Sequence, residues 1–345
     1  MHPDELPMPN GWFAIGMSRD LKPGKVLRAR LAGADVVAYR THSGRLAVVD
    51  PYCPHLGAHL GFGGTVEGEN LVCPFHRFAF DPAGRCVATG YGTPPPKAAL
   101  HRREWRESNG FIWVWHHAEG PGPSWEIPVG LADGKILLTR VTHSIRTHPA
   151  DIVENAADLG HLNILHSGRN IRPSAPAEFS GPSARYRSEG ELIFPLLGAL
   201  RLQIDITCWG LGCVAARARL PGVGFDALAM SSITPESPGR VKVMLTVHLS
   251  EPALRRIPSQ RARSSLRKGM YRVAPLLGPL TRFIDQELRQ DIPVWENKII
   301  LSHPRLAKGD GPITAYRRWA EQFYSPANKG SGPPPGPVTP PETNA

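Results

Sequence analysis

Two short cysteine–histidine motifs in the first quarter of the chain have the residue types of metal ligands. Cys53-x-His55 is followed, after seventeen residues, by Cys73-x-x-His76. A single residue separates Cys53 from His55, whereas two to four usually separate the ligands of a zinc-binding knuckle. Two thiolates and two imidazoles are the ligands of a Rieske [2Fe–2S] centre, where one iron takes the thiolates and the other the imidazoles. The spacing therefore favours an iron–sulfur cluster, with zinc as the weaker alternative.

A second group of candidate ligands lies in the apolar segment 154–166. If this segment is a helix, Asp158 and His161 lie on one face together with Glu154. His166 lies about 140° away from His161 on a regular α-helix. A metal bound by both histidines therefore requires a π-bulge or a loosened turn, and such irregularities occur at functional sites. We interpret the segment as half of a metal site.

The composition of the chain is typical of a folded protein with roughly two domains. It has 345 residues, of which 41% are hydrophobic. No run approaches the roughly 18 apolar residues of a membrane span, and the first residues lack the pattern of a signal peptide. We therefore expect a cytoplasmic protein without a transmembrane segment.

The cysteine count and the charge narrow the cofactors and partners. Five cysteines are an odd number, which argues against a disulfide framework and for metal ligation by some of them. Cys86, Cys208 and Cys213 are predicted to be small core residues. The formal net charge of +10 favours acidic partners. Because the basic residues are scattered outside any recognisable nucleic-acid module, we expect no nucleic-acid partner.

The pattern of apolar runs predicts an α+β protein. Short β-branched or apolar runs, separated by Gly, Pro, Asp and Asn, predict strands at 12–15, 26–31, 36–39, 46–49, 71–75 and 111–115. A strand is predicted at 136–145, four or five more between 185 and 249, and helices from about 252 to 300. We expect an extension at 1–9, a β domain at 10–120, a second domain at 126–324 and a disordered Pro-rich tail at 325–345.

The pattern Asn155-x-x-Asp158-x-x-His161-x4-His166, together with the cluster motifs, resembles the Rieske non-haem iron oxygenases, and the resemblance extends from about Trp12 to Tyr324. It implies a Rieske β-sandwich with a [2Fe–2S] cluster on Cys53, His55, Cys73 and His76. A helix-grip catalytic domain, with an antiparallel sheet and helices, would follow. By the same resemblance His161 and His166 bind a mononuclear Fe(II) with one distant carboxylate.

The distant carboxylate has four candidates, which are Asp285, Glu287, Asp291 and Glu296. The sequence around Gln290-Asp291 resembles the Gln-Asp-x-x-x-Trp-x-x-Lys segment of the steroid-directed branch, in which the aspartate binds iron, so Asp291 is the predicted ligand. The alternative is that these acids balance nearby basic residues on a solvated helix, which we expect for Asp285 and Glu287.

The resemblance assigns Asp158 a role other than metal ligation. It would bridge His161 of one subunit to His76 of a neighbour in a head-to-tail homotrimer and so carry electrons between them. Asn155 would support the ligands. The alternative for Asp158 is an acid placed in the first turn of a helix by the helix dipole.

Segments 52–61 and 310–324 look like those of the cholesterol 7-desaturases and are similar also to the 3-ketosteroid 9α-hydroxylases. The implied activity is hydroxylation or desaturation of a sterol or steroid with O2. Arg77-Phe78 departs from the His-Gly-Trp that the family usually has. The expected apolar pocket has candidate lining residues of the usual core types, namely Ile193, Phe194, Leu196, Leu197, Phe225, Leu228 and Met230.

Electrons would come from NADH or NADPH through a flavin reductase, a ferredoxin or both. The basic run from Arg255 to Arg272 could dock such a donor, although a solvated helix face is the more common explanation. Three alternatives stay open: an oxygenase for a non-steroid aromatic or hydrophobic substrate, an electron-transfer protein with the cluster alone, and a lipid-binding protein without catalytic iron.

Overall fold

The computed structural model describes residues 1–194, 198–250, 259–267 and 274–326. Its first strands are β1 (Gly11–Met17), β2 (Lys25–Leu31), β3 (Ala34–Arg40), β4 (Leu46–Val49), β5 (Thr65–Glu67), β6 (Asn70–Val72), β7 (Ala79–Phe80), β8 (Cys86–Ala88), β9 (Trp105–Ser108) and β10 (Phe111–His116). The later strands are β11 (Ile136–Ile145), β12 (Gly168–Ser180), β13 (Ser183–Phe194), β14 (Gly198–Trp209), β15 (Cys213–Leu220), β16 (Phe225–Ser237) and β17 (Arg240–Leu249). The helices are α1 (Pro149–Glu154), α2 (Leu159–Ile164), α3 (Gln260–Arg267), α4 (Ala274–Asn297) and α5 (Ile313–Ala320).

The N-terminal strands form three small antiparallel sheets, with the orders β1-β10-β9, β2-β3-β4 and β5-β6-β7-β8. Every residue of β1 is buried, because this strand lies between the first half of the chain and the large sheet of the second half. The predicted strand at 71–75 ends early, at Val72. Cys73 begins a turn in which it accepts a hydrogen bond from the backbone of Arg77, and this turn ends the strand.

Seven antiparallel strands form the large sheet, in the order β11-β17-β16-β15-β14-β13-β12. The α+β prediction is confirmed. The predicted strand 136–145 has the observed bounds of β11, and five strands lie between Ser183 and Leu249, as expected. Strand β12 was not predicted. It contains prolines and has several register irregularities against β13, so its sequence lacks a clean alternation of apolar and polar residues.

The two halves of the chain share a hydrophobic core and backbone contacts. Trp12 and Trp113 pack with Met230 and Met244 of the large sheet. At the tip of the β2–β3 hairpin, Ala32 and Gly33 donate backbone hydrogen bonds to the carbonyls of residues 235 and 236. The sheets that carry the cluster motifs are therefore fixed on the large sheet.

Segment 154–166 is two short elements and not one continuous helix. Helix α1 ends at Glu154 and α2 begins after Asp158, whose carboxylate Oδ1 accepts a hydrogen bond from the backbone N–H of His161 at 3.3 Å. Asp158 is thus the N-cap of α2, the position that aspartate favours. Helix α2 ends at Ile164, so His166 is free of the helical register. This break removes the difficulty that the i, i+5 spacing posed for a continuous helix.

Several sequence predictions concern residues outside the described ranges. They are Leu196 and Leu197, the basic residues Arg255, Arg256, Lys268 and Arg272, and residues 327–345 of the predicted tail. Ser325, at the start of that tail, is buried and accepts a hydrogen bond from Asn10. Among the residues that the structure describes, no helix combines the length and the apolar character that a membrane crossing requires.

Candidate metal centres

The two cysteine–histidine motifs fold into matching turns. In the first, the N–H of Gly57 donates to the carbonyl of Cys53 at 2.9 Å, and in the second, Arg77 donates to Cys73 at 3.1 Å. The fourth residue after each cysteine has a positive φ, 75° at Gly57 and 54° at Arg77. Glycine adopts this conformation without steric cost, whereas arginine does not. The two turns bring all four candidate ligands to one end of the β5–β8 sheet.

The four residues separate into an inner and an outer pair. Cys53 and Cys73 are each 2% exposed, and burial, followed by the neighbouring Cys73, raises the pKa of Cys53 to about 11. The imidazoles of His55 and His76 are half-buried, with ring centroids 4.9 Å apart. This division fits a two-iron cluster, in which thiolates hold the inner iron and imidazoles hold the outer one.

The same division disfavours a single zinc ion. Four tetrahedral ligands at about 2.0–2.3 Å from one ion would lie within about 4 Å of one another. Among the described residues, the four do not form a group of three or more ligand atoms within 4.8 Å. The residues fit a cluster, which spreads its ligands over two metals.

Aromatic side chains surround the outer pair. His55 stacks on Phe78 with ring centroids 4.2 Å apart and planes 9° from parallel, so the phenylalanine provides a flat ring against this imidazole. Tyr91 contacts His55 and His76 with ring centroids at 6.4 and 5.8 Å. The imidazoles are held in place at a surface rich in exposed aromatic rings, which include Tyr52, Phe62, Phe75 and Tyr91.

The histidines of segment 154–166 lie beside a carboxylate that is distant in sequence. His161, His166 and Asp291 bring their ligand atoms within 4.8 Å of one another, and among the described residues they are the group of three that does so. His161 lies in α2, His166 follows α2, and Asp291 lies in α4, 7% exposed. Two imidazoles and one carboxylate whose ligand atoms converge in this way fit the facial triad of a non-haem iron.

Hydrogen bonds give each candidate ligand a fixed orientation. His161 Nδ1 donates to the backbone carbonyl of Asp158, and His166 Nδ1 donates to Oε1 of Gln290 at 3.1 Å. Asn155 Nδ2 donates to Asp291 Oδ1 at 3.2 Å. The Nε2 atoms and Asp291 Oδ2 are left for a metal, with His166 Nε2 3.3 Å from Asp291 Oδ2.

The electrostatics of the two histidines differ. Burial is the main cause that lowers the pKa of His161, although the nearby Asp291 opposes it. Burial also acts to lower the pKa of His166, but the hydrogen bond with Asp291 and the charge of Glu287 outweigh it and raise the pKa. The carboxylates of Asp291 and Glu287 therefore favour a positive charge at His166, whether it is a proton or a metal ion.

The other acidic candidates have other partners. Glu154 forms an ion pair with Arg317 at 2.6 Å and so does not join the metal group. Asp285 binds His143 and Arg289, and Glu296 accepts a hydrogen bond from the backbone of Arg146. These contacts leave Asp291 as the carboxylate that faces both histidines.

The structure corrects the expectation that Glu287 is a solvated charge on a helix. Its side chain is 22% exposed and accepts hydrogen bonds from the N–H and the hydroxyl of Ser167 at 3.2 and 2.9 Å. Sequence reasoning also missed Gln290 and Asn163, and Asn163 joins α2 to β12 by two hydrogen bonds with the backbone of Ile171. Whether these side chains point toward the candidate metal ligands or toward water depends on how α4 and β12 pack, and no local sequence pattern encodes this packing.

Asp158 is placed beside His161 but in an unexpected way. Its carboxylate Oδ2 is 3.9 Å from His161 Nδ1, and it is the backbone carbonyl of Asp158 that accepts from this nitrogen. The carboxylate is 35% exposed. Its position combines the role of an N-cap with access from outside the chain.

An apolar cavity of about 290 Å³ reaches the second centre. Its walls include His166, Glu287 and Asp291, and are otherwise formed by Leu162, Gly168, Ile171, Leu192, Leu202, Ile204, Leu245, Ile284 and Leu288. Leu228 and Met230, predicted to line a pocket, instead belong to the core beside Trp12 and Trp113. They alternate in β16 with residues of the other face, a detail that depends on sheet register.

Comparison with known proteins identifies both halves of the chain. Residues 11–98 match the Rieske [2Fe-2S] domain, and residues 114–324 match the 3-ketosteroid 9alpha-hydroxylase C-terminal domain. Cholesterol 7-desaturase nvd 1 of Ciona intestinalis is 31% identical, over 93% of this chain and 70% of its own length. The 3-ketosteroid-9-alpha-monooxygenase oxygenase component of Rhodococcus rhodochrous is 26% identical, over 91% of this chain and 83% of its own.

Solved structures show the same fold at lower identity. NdmA of Pseudomonas putida CBB5 has a TM-score of 0.69 at 18% identity and covers 90% of this chain and 89% of its own. Dicamba monooxygenase bound to dicamba has a TM-score of 0.65 at 15% identity, with 91% and 96% covered. With both family models matched in order along one chain, this protein belongs to the Rieske oxygenases, whose cofactors are a Rieske [2Fe–2S] cluster and a non-haem iron supplied with electrons by a reductase.

Proposed function

We propose that this protein is the oxygenase component of a system that hydroxylates or desaturates a sterol or steroid. The observation that carries the proposal is the apolar cavity that ends at His166 and Asp291. A steroid presents few polar groups, and ligand cavities of this kind are lined mainly by hydrophobic side chains. The related cholesterol 7-desaturases and 3-ketosteroid-9-alpha-monooxygenase support the same substrate class.

The site residues have two proposed tasks. Cys53, His55, Cys73 and His76 would hold the [2Fe–2S] cluster, which supplies single electrons. His161, His166 and Asp291 would hold the iron, which supplies the activation of O2 at its open positions. The fit of both ligand sets supports these assignments, because one set separates into thiolate and imidazole pairs and the other converges within 4.8 Å.

The rest of the chain controls where the reaction occurs. The leucine and isoleucine side chains of the cavity exclude water and hold an apolar substrate beside the iron ligands. Hydroxylation consumes O2, two electrons and two protons and yields the alcohol and one water. Desaturation consumes the same O2, two electrons and two protons, removes two hydrogens from the substrate and yields two waters. The choice between them depends on which C–H bond lies nearest to the ligands.

A head-to-tail homotrimer is part of the proposal. Among the described residues, no hydrogen bond or ring contact joins the cluster motifs to the group at His161. Both regions expose apolar side chains, with Phe75 61% exposed beside His76 and Ile164 88% exposed in α2. Contact between His76 of one subunit and Asp158 of the next would cover these groups and carry electrons through the exposed carboxylate.

The partners and location follow from the need for electrons. A flavin reductase, with or without a ferredoxin, would take electrons from NADH or NADPH. We place the enzyme in the cytoplasm, because its five cysteines form no disulfide, as expected in a reducing compartment. The proposed division into domains at 10–120 and 126–324 is supported by the separate small sheets and large sheet on either side.

The test is a product analysis. The purified protein, with its cluster and iron, is incubated with a donor reductase, NADH, O2 and a panel of sterols and 3-ketosteroids, and the products are identified by mass spectrometry. We expect a product heavier by one oxygen or lighter by two hydrogens. No turnover of any steroid, with turnover of small aromatic acids in a parallel assay, would refute the steroid assignment while leaving the oxygenase intact.

Metal analysis separates the oxygenase from its two competitors. The ligand sets predict about three irons and two acid-labile sulfides per chain. An electron-transfer protein, or a lipid-binding protein without catalytic iron, would contain about two irons per chain. A content of about two irons per chain, measured on the purified protein after it is supplied with excess Fe(II), would overturn the catalytic proposal.

A further inference from the structure

We infer that Gln290 is a positioning residue that fixes the tautomer and orientation of His166 for metal binding. The inference rests on the proposed iron site and adds to it a side chain that touches no metal. Gln290 lies in α4, next to Asp291 in sequence. One helix would therefore supply both a ligand and the group that orients another ligand.

The two nitrogens of His166 face opposite groups. Nδ1 lies 3.1 Å from Gln290 Oε1, and Nε2 lies 3.3 Å from Asp291 Oδ2. A neutral imidazole has one protonated nitrogen and one bare nitrogen, and only the bare one binds a metal. If Gln290 Oε1 accepts a hydrogen bond from Nδ1–H, the proton stays on Nδ1, and Nε2 is left bare and directed at Asp291, where the metal would lie.

Glu287 is also near His166 but has other hydrogen-bond partners. Its Oε2 is 3.6 Å from His166 Nδ1, beyond hydrogen-bond distance. Both of its oxygens accept from Ser167 instead. The amide of Gln290 also differs from a carboxylate in adding no negative charge, so it orients the ring without changing the net charge of the ligand group.

The two candidate histidine ligands are held by different means. His161 donates from Nδ1 to a backbone carbonyl within its own short turn. That acceptor is present whatever side chains surround it. His166 depends on a side chain 124 positions away. A substitution of Gln290 should therefore affect one ligand and leave the other in place.

The experiment measures Fe(II) binding to the protein with its cluster intact. The variants are Gln290→Leu, which removes the acceptor, and Gln290→Glu, which keeps it. Gln286→Leu is the matched control, because Gln286 is exposed on the same helix. Fe(II) affinity is measured by chelator competition, and the symmetry of the site by the EPR spectrum of the ferrous centre after addition of nitric oxide.

Loss of a residue that orients a metal-bound histidine typically weakens metal binding by about 10- to 100-fold. We expect that loss, with an altered EPR spectrum and an unchanged melting temperature, for Gln290→Leu. Gln286→Leu should bind Fe(II) within about threefold of the parent protein, since the acceptor remains. Gln290→Glu should bind Fe(II) at least as tightly as the parent, because it keeps an acceptor for Nδ1–H and its negative charge favours a cation.

The variant Asp291→Ala distinguishes a failure of the inferred role of Gln290 from a failure of the proposed iron site. If Asp291→Ala loses Fe(II) but Gln290→Leu binds it with the parent affinity and spectrum, the role of Gln290 is refuted and the iron site stands. If Asp291→Ala keeps the parent affinity, the iron site itself is refuted, and the role of Gln290 with it. Should Gln290→Leu not fold, Gln290→Asn, which retracts the acceptor by one methylene, gives the same comparison.

Discussion

Arg77 binds both carboxylate oxygens of Glu67, at 2.9 and 2.8 Å, while its backbone has a φ of 54°. The ion pair is exposed and worth at most about 1 kcal/mol, whereas a left-handed backbone costs a side-chain-bearing residue about 1–2 kcal/mol relative to glycine. We predict that Arg77→Ala lowers the free energy of unfolding, because it loses the pair and keeps the strain. Arg77→Gly should be about 1 kcal/mol more stable than Arg77→Ala in urea unfolding. Equal stability of the two variants would contradict this account.

Gly90 lies against the backbone of the second cluster turn. Its N–H donates to the carbonyl of His76 at 3.0 Å, and a Cβ at Gly90 would lie 2.6 Å from that same oxygen. We predict that Gly90→Ala displaces His76, costs about 1–3 kcal/mol, and lowers the cluster content measured by visible absorption and acid-labile sulfide. Gly122→Ala is the control, because a Cβ there meets open space. A full cluster in Gly90→Ala would show that the turn can move.

Asp158 allows a test that separates charge from capping. Asparagine caps helices as well as aspartate does, whereas alanine loses the cap at a cost of about 1 kcal/mol. We therefore predict that Asp158→Asn keeps α2, the cluster and the iron but stops electron transfer from cluster to iron in a single turnover. Asp158→Ala should lose stability as well. Normal transfer in the asparagine variant would refute the proposed bridge between His161 and the partner's cluster.

The sequence was sufficient for the parts of the molecule that depend on local spacing. The cysteine–histidine motifs and the strand at 136–145 have local signatures, whereas Asp291 was chosen from four acids by a family resemblance and stays a predicted ligand. The same sequence suggested one helix through 154–166, because apolar periodicity does not reveal that Asp158 caps a new helix. An N-cap competes with helix continuation, and the tertiary contacts of α2 decide between them.

Asn155 was predicted from the sequence as a residue that supports the ligands, but the contacts of Gln290 and Glu287 near His166 were not. Gln290 and Glu287 lie among the charged residues of α4, and either could face water or the site. Their facing depends on the rotation of α4 against β11 and α2, which is fixed by long-range packing. An apolar pocket was expected, but its lining was not predicted correctly, because a one-residue change of register in β16 exchanges the face that Leu228 and Met230 occupy.

Asp285 joins α4 to β11, and its charge makes this contact depend on pH. Its carboxylate accepts from His143 at 3.0 Å and from Arg289 at 2.6 Å. Burial acts to raise the pKa of Asp285, but the hydrogen bonds from Arg289 and His143 outweigh it and lower the pKa. The stabilisation is therefore present above the ordinary aspartate pKa and is lost as the pH falls through the lowered value.

Asp285→Asn should lower the free energy of unfolding by about 1 kcal/mol near neutral pH. The difference from the parent should shrink progressively below about pH 4, as the carboxylate of the parent becomes protonated. Urea unfolding across the acidic range measures both effects, and Asp133→Asn, at an exposed aspartate, serves as the control. A difference that stays constant with pH would mean that the charge of Asp285 has no part in holding α4.

Ile204 lies on β14, in the wall of the cavity. Among the described residues, its side chain forms no hydrogen bond or ion pair with the candidate metal ligands. Phenylalanine at this position adds a ring to a space of about 290 Å³. We predict that Ile204→Phe raises KM for a steroid substrate at least about tenfold, since about 1.4 kcal/mol of lost binding has that effect. Iron and cluster contents should stay at parent levels. Gln203→Phe places the same ring on the opposite face of the same strand and should leave KM unchanged. If both variants behave alike, the substrate binds elsewhere, because only one face of β14 borders the cavity.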